Sequence, residues 1–69
     1  MNEIRIRDEF IKLGQAMKLA GAVDSGAEAK ERILAEEVKV NGEICTMRGK
    51  KLYNGDVFSV NGEDFRVIV

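Results

Sequence analysis

The sequence predicts an α+β fold: an N-terminal strand, two packed helices, and then a small antiparallel sheet of hairpins. Three observations predict it. Ile4-Arg5-Ile6-Arg7 alternates apolar and basic residues, the period of a half-buried strand. Between Phe10 and Glu36 the apolar period changes to that of a helix face. From Val38 onward the segments are short and apolar, and they are punctuated by Asn-Gly at 41–42, 54–55 and 61–62.

The first helix is expected from Phe10 to Ala20. Leu13, Ala16, Met17 and Ala20 fall at i, i+3, i+4 and i+7, with Lys12, Gln15 and Lys18 on the opposite side. Gly21 is a natural stop, because glycine takes the left-handed conformation that ends many helices. Ser25-Gly26-Ala27-Glu28 is a capping-box pattern, in which the serine hydroxyl accepts from the Glu28 amide while the Glu28 side chain reaches back. A second helix then runs to about Glu36, burying Ala29 and Ile33, with Leu34 at its edge. So short a link requires the two helices to pack together. Val38-Lys39-Val40 meets Asn41-Gly42, and Ile44 to Thr46 is the expected return strand. Val57 to Val60 and Phe65 to Val69 complete the sheet. The two Val-Asn-Gly-Glu stretches, at 40–43 and 60–63, read as one turn chemistry used twice.

Length and composition narrow the function classes. The chain has 69 residues, 45% hydrophobic and 33% charged, with no proline or low-complexity stretch to divide it, so residues 1–69 are expected to form a single domain. A chain this short buries only about 60% of its unfolded surface, leaving room for one shared core. Cys45 is the only cysteine, so there is no internal disulfide and no CxxC pair for zinc, and the expected compartment is cytoplasmic. No run of apolar residues is long enough to span a membrane, and the start lacks the apolar core of a signal peptide. The absence of histidine removes the commonest general acid–base near neutral pH. No catalytic residue, cofactor, metal or small-molecule substrate is expected. The net charge is −1, but residues 12–52 hold eight Lys/Arg against six Asp/Glu, so the middle is basic and the flanks are acidic.

The order of motifs resembles a known family. The run Leu13-x3-Met17-x3-Gly21-x3-Ser25-x3-Ala29-Lys30-x2-Ile33-x4-Val38-x-Val40-Asn41-Gly42, with Lys51-Leu52-x2-Gly55-Asp56-Val57 after it, resembles the S4 RNA-binding domain. Lys12 to Gly21, followed by Ser25-Gly26-x-Glu28-Ala29-Lys30, is similar to the small stand-alone bacterial S4 proteins of the YaaA/YbcJ type. The resemblance covers roughly residues 11 to 60. It implies an S4-like (alpha-L motif) fold, in which a helix pair braced by a small sheet binds structured RNA, ribosomal or transfer, with a ribosomal particle as a further partner. Two positions depart from the pattern. Lys12 stands where arginine is usual, keeping charge without the bidentate fork. Gly26 follows Ser25 where arginine is common.

That resemblance organises the candidate contacts. At the start of the second helix, Ser25 caps, Gly26 lets a phosphate approach the free backbone amides, and Lys30 adds charge one turn later. Lys12, Gln15 and Lys18 form the exposed face of the first helix. Lys39 and Asn41 lie on the following hairpin, where Asn41 also serves its turn. Arg48, Lys50 and Lys51 form a basic loop around Gly49. Arg5 and Arg7 are expected to guard a sheet edge. Phe10, Phe58 and Phe65 are expected in the core. Only Tyr53 is then exposed, which leaves no aromatic platform and favours recognition of RNA by shape and phosphate geometry.

Three other readings compete. A protein-interaction module on an S4 scaffold would show little RNA affinity. A β-grasp sulfur carrier would need a Gly-Gly tail, whereas this sequence ends Val67-Ile68-Val69. A DNA-binding helix-turn-helix fits poorly with Glu28, Glu31 and Glu36 on the second helix.

Overall fold

The computed structural model describes all 69 residues. Strand β1 (Asn2–Arg5) is followed by Ile6, whose amide continues the ladder by donating to the Ile68 carbonyl at 2.8 Å. Ile4 and Ile6 are both buried, as the alternation requires. The expected helix start does not hold: Phe10–Lys12 is a strand, β2, and helix α1 spans Leu13–Leu19. The cause is long-range. β2 pairs antiparallel with β5 (Lys51–Tyr53), setting Ile11 opposite Leu52, and local periodicity carries no trace of that partner.

Helix α1 buries Leu13, Ala16 and Met17 and ends in a Schellman motif. Gly21 adopts φ 75° and donates to the Lys18 carbonyl, and Ala22 donates to Met17, both at 3.0 Å. Helix α2 (Gly26–Leu34) begins as its sequence dictates, with Ser25 Oγ accepting from the Glu28 amide at 3.1 Å. The return bond reaches one residue further back, since Glu28 Oε1 accepts from the Asp24 amide at 3.0 Å. α2 stops two residues before the expected end. Glu36 instead takes the left-handed position (φ 62°) of a second Schellman motif, with Glu36 donating to Ile33 and Glu37 to Arg32.

The remaining strands are β3 (Lys39–Val40), β4 (Glu43–Ile44), β6 (Val57–Val60) and β7 (Glu63–Ile68). At the β3–β4 and β6–β7 turns both central residues have positive φ: Asn41 51° and Gly42 87°, Asn61 57° and Gly62 77°. Such turns match the right-handed twist of their strands. The shared Val-Asn-Gly-Glu wording is therefore one turn used twice. β4 ends sooner than expected, although the Cys45 amide still donates to Val38 at 3.0 Å.

The five-stranded sheet runs β1-β7-β6-β3-β4, with β2-β5 as a separate ribbon. It is mixed rather than wholly antiparallel: β1 runs parallel to β7, with Ile4 beside Val67. Parallel neighbours need a long crossover, and here nearly the whole chain supplies it. β1 is an edge strand, so Arg5 does sit at a sheet edge. One cluster of 15 buried residues joins both helices to the sheet and ribbon, and Phe58 and Phe65 stack inside it with ring centroids 5.1 Å apart.

Candidate nucleic-acid interface

Two backbone bonds build the site. Helix α1 has no side-chain cap at Lys12; instead the Leu13 amide donates to the Lys50 carbonyl at 2.8 Å and the Gly14 amide to the Arg48 carbonyl at 3.1 Å. The 48–50 loop thus satisfies donors that every helix start leaves without partners. It is held against α1 as a result. Gly14 makes that approach possible, since a Cβ there would stand 2.8 Å from Arg48 Cγ.

The loop and the helix pair border an open cleft of about 340 Å³. Lys12, Gln15 and Lys18 line one side, Arg48 and Gly49 another, and Gly14 and Gly26 form backbone wall between them. No carboxylate and no large apolar side chain lines it. The three other sizeable depressions each include at least one glutamate. In a chain with net charge −1, three cations line this cleft, while Asp24 and Glu28 at the start of α2 are engaged in its capping bonds outside the lining. A Cβ at Gly26 would meet nothing within 4 Å, so the first turn of α2 is open on that side. The amides of Gly26 and Ala27 precede the first intrahelical donor, Ala29, which bonds to the Ser25 carbonyl.

The cleft collects five of the residues expected from sequence: Lys12, Gln15, Lys18, Gly26 and Arg48. Ser25 stands beside it as the cap of α2, with its hydroxyl committed to Glu28. Lys51 faces Lys12 across the β2–β5 ladder and continues the basic surface. Lys30 is exposed on α2 outside the cleft lining, and Lys39 is exposed on β3. Lys50 and Asn41 line a different depression, shared with Glu43, Ile44 and Met47. The Asn41 side chain is occupied there, donating to Asp56 Oδ1 at 3.2 Å and accepting from the Val57 amide at 3.0 Å. It ties two turns together, in keeping with the turn role expected of Asn41.

Gly14 and Gly49 were not among the expected contacts. A glycine inside the helical stripe at position 14 was the available signal, since glycine costs a helix interior up to ~1 kcal/mol relative to alanine and its presence there asks for a packing reason. Phe10 also differs from expectation. It is half-buried beside Tyr53, at a centroid separation of 5.8 Å, with Lys51 Nζ 4.8 Å from its ring centroid.

A sequence model of the S4 domain matches residues 4–68. The chain belongs to the S4 domain family. Among curated relatives, the Bacillus subtilis protein RlbA, named a probable ribosome maturation protein, is 48% identical over 61 residues, covering 88% of this chain and 86% of RlbA. Escherichia coli YbcJ is 34% identical over 58 residues, covering 84% and 83% of the two chains. The solution structure of YbcJ, described as revealing an alfaL motif involved in RNA binding, aligns with all of this chain and 89% of its own at TM-score 0.76 and 30% identity. Family and structural neighbour agree on an α+β RNA-binding fold of the S4 type.

Proposed function

We propose that this chain is a non-catalytic, cytoplasmic RNA-binding module, residues 1–69 acting as one unit. It holds structured RNA, ribosomal or transfer, by its phosphates on the α1–α2 pair and the Arg48–Lys51 loop. The cleft carries this reading: Lys12, Lys18 and Arg48 converge with the open first turn of α2, and no carboxylate shares the lining. Phosphate oxygens suit such a site, because they take charge-assisted bonds from lysine and arginine and further bonds from helix-start amides. A ribosome-maturation name on the RlbA relative makes ribosomal RNA the first target to try. A second reading, a protein-interaction module on the same scaffold, draws on the exposed side chains of Ile44 and Met47 near β4.

The test is fluorescence anisotropy with ribosomal RNA fragments and total tRNA, using duplex DNA as control, across a salt series. Each neutralised phosphate adds about 0.7 to 0.9 to the slope of log affinity against log salt, so three cations give a slope of roughly −2 to −3. Lys18→Ala is expected to flatten that slope by about one unit. If the wild-type protein binds no RNA even at low salt, the reading fails and the Ile44–Met47 surface becomes the place to seek a protein partner.

A further inference from the structure

Outside the cleft, one surface joins aromatic and cationic side chains. In the β2–β5 ladder Phe10 pairs with Tyr53, Ile11 with Leu52 and Lys12 with Lys51. Side chains alternate along a strand, so one face of the ribbon carries Ile11 and Leu52 while the other carries Phe10, Tyr53, Lys12 and Lys51. Leu52 is fully buried and Ile11 packs against the core, which makes theirs the inner face. On the outer face Tyr53 is 44% exposed and Phe10 half-buried, with their rings tilted at 48°. Lys51 Nζ stands over the Phe10 ring and covers that face, which leaves the exposed Tyr53 ring as the open π-surface. Lys12 belongs both to this face and to the cleft lining, so the two surfaces meet at one residue.

We propose that the outer face of the β2–β5 ribbon is a stacking site for one unpaired RNA nucleotide, its base on Tyr53, which Phe10 buttresses, and its phosphate between Lys51 and Lys12. The proposal rests on the RNA-binding reading and specifies the RNA: a paired stem with an unstacked nucleotide at its end or at a bulge. A nucleotide is a flat base joined to an anion, and this face presents π-surface beside cation in the same arrangement. Every base has a π-face, so aromatic stacking selects an unpaired nucleotide with little regard to its identity. Paired bases inside an A-form stem offer no such face to a side chain. The stem would then lie on the cleft and its loose nucleotide on the ribbon. A protein partner fits this face less well, because two lysines flank the rings and the exposed aliphatic side chains Ile44 and Met47 line a different depression.

The test uses the whole chain and two RNAs, a fully paired blunt stem and the same stem carrying one unpaired 2-aminopurine. The wild type is expected to bind the second RNA about tenfold more tightly, with quenched 2-aminopurine fluorescence, in line with the strength of base–aromatic stacking. Tyr53→Ala is expected to abolish both the preference and the quench while keeping its affinity for the blunt stem. Tyr53→Trp is expected to restore both, which a merely structural role of Tyr53 would not require. Equal wild-type affinity for the two RNAs, without quenching, would overturn the stacking site and leave the phosphate cleft standing. Absence of binding to either RNA would overturn the RNA reading and this proposal together. Loss of blunt-stem binding by a folded Tyr53→Ala would overturn the division of labour between ribbon and cleft.

Discussion

Arg32 and Arg48 carry the same guanidinium, and the fold treats them in opposite ways. Arg32, on α2, is enclosed by partners from its own chain. Its nitrogens lie 3.6 Å from Glu28 and 3.5 Å from Glu37, and Nη1 donates to Asn61 Oδ1. Asn61 in turn donates to the Ala22 carbonyl at 3.2 Å, so the β6–β7 turn is fastened to α2 through this arginine and to the link between the helices through Asn61. Arg48 has no acidic partner, and its surroundings are Lys12, Lys18 and backbone. An arginine that satisfies its donors internally is part of the scaffold, whereas one set among like charges has donors left for a ligand. The direct way to break the comparison is to alter both arginines and measure both properties. Lys18→Glu/Arg48→Glu is expected to weaken binding to structured RNA by about 100-fold at moderate salt, because two phosphate contacts are lost and two repulsions added. Its melting temperature should fall by no more than several degrees, since neither side chain is in an ion pair. What is lost is Lys18's favourable place in the last turn of α1 and the packing of the Arg48 stem on Gly14. An equal loss of affinity in an Arg32 variant would show that the contrast has no functional meaning.

Gly14→Ala sharpens the same contrast without changing any charge. The new Cβ would press on Arg48 Cγ, so the arginine stem must move away from the position that completes the cleft. A drop of about tenfold in RNA affinity is expected, near the cost of one misplaced phosphate contact. Helix propensity works in the other direction, favouring alanine by up to ~1 kcal/mol. Stability should therefore stay level or rise while binding falls. A variant that loses both would show that Gly14 is needed for folding rather than for aiming Arg48.

Why the sequence disclosed some of this and hid the rest follows from range. The Ser25 cap, the Gly21 stop, the Leu13-Ala16-Met17 stripe and the Asn-Gly turns are governed by neighbours within about four residues, and each was legible. β2 was not, because Phe10-Ile11-Lys12 extends the helical stripe and becomes a strand only through β5, about 40 residues later. The parallel pairing of β1 with β7 joins the two ends of the chain and has no local signature. The basic loop shows the same limit at the site. Arg48 and Lys50 are two residues apart, yet the turn that sets the Lys50 amide on the Met47 carbonyl places them in different depressions. Charge composition identified the loop; only its bonds to α1 decide which cation faces the helix pair.

The scaffold half of the comparison predicts a smaller effect. Arg32→Gln removes two long ion pairs and weakens the tie to Asn61. The side chain is 34% exposed, so solvent screens the ion pairs to a few tenths of a kcal/mol, and the charged hydrogen bond supplies most of the effect. A total of roughly 1 kcal/mol is expected, read as a melting temperature about 4–8 °C lower. RNA affinity measured well below that melting point should be unchanged. A loss of affinity without a loss of stability would move Arg32 from scaffold to interface.

The smallest effect concerns Lys30, a contact expected from the family resemblance. It is exposed one turn beyond Gly26 and does not line the cleft. A charge outside the site acts only through solvent, where attraction is screened over about 8 Å at physiological salt. Lys30→Glu is accordingly expected to change RNA affinity by less than about threefold, and only at low salt. Lys18→Glu, inside the cleft, should cost several times more under the same conditions. The pair measures where the interface stops. If Lys30→Glu costs as much as Lys18→Glu, the bound RNA runs along the exposed side of α2, and the cleft accounts for only part of the surface that holds it.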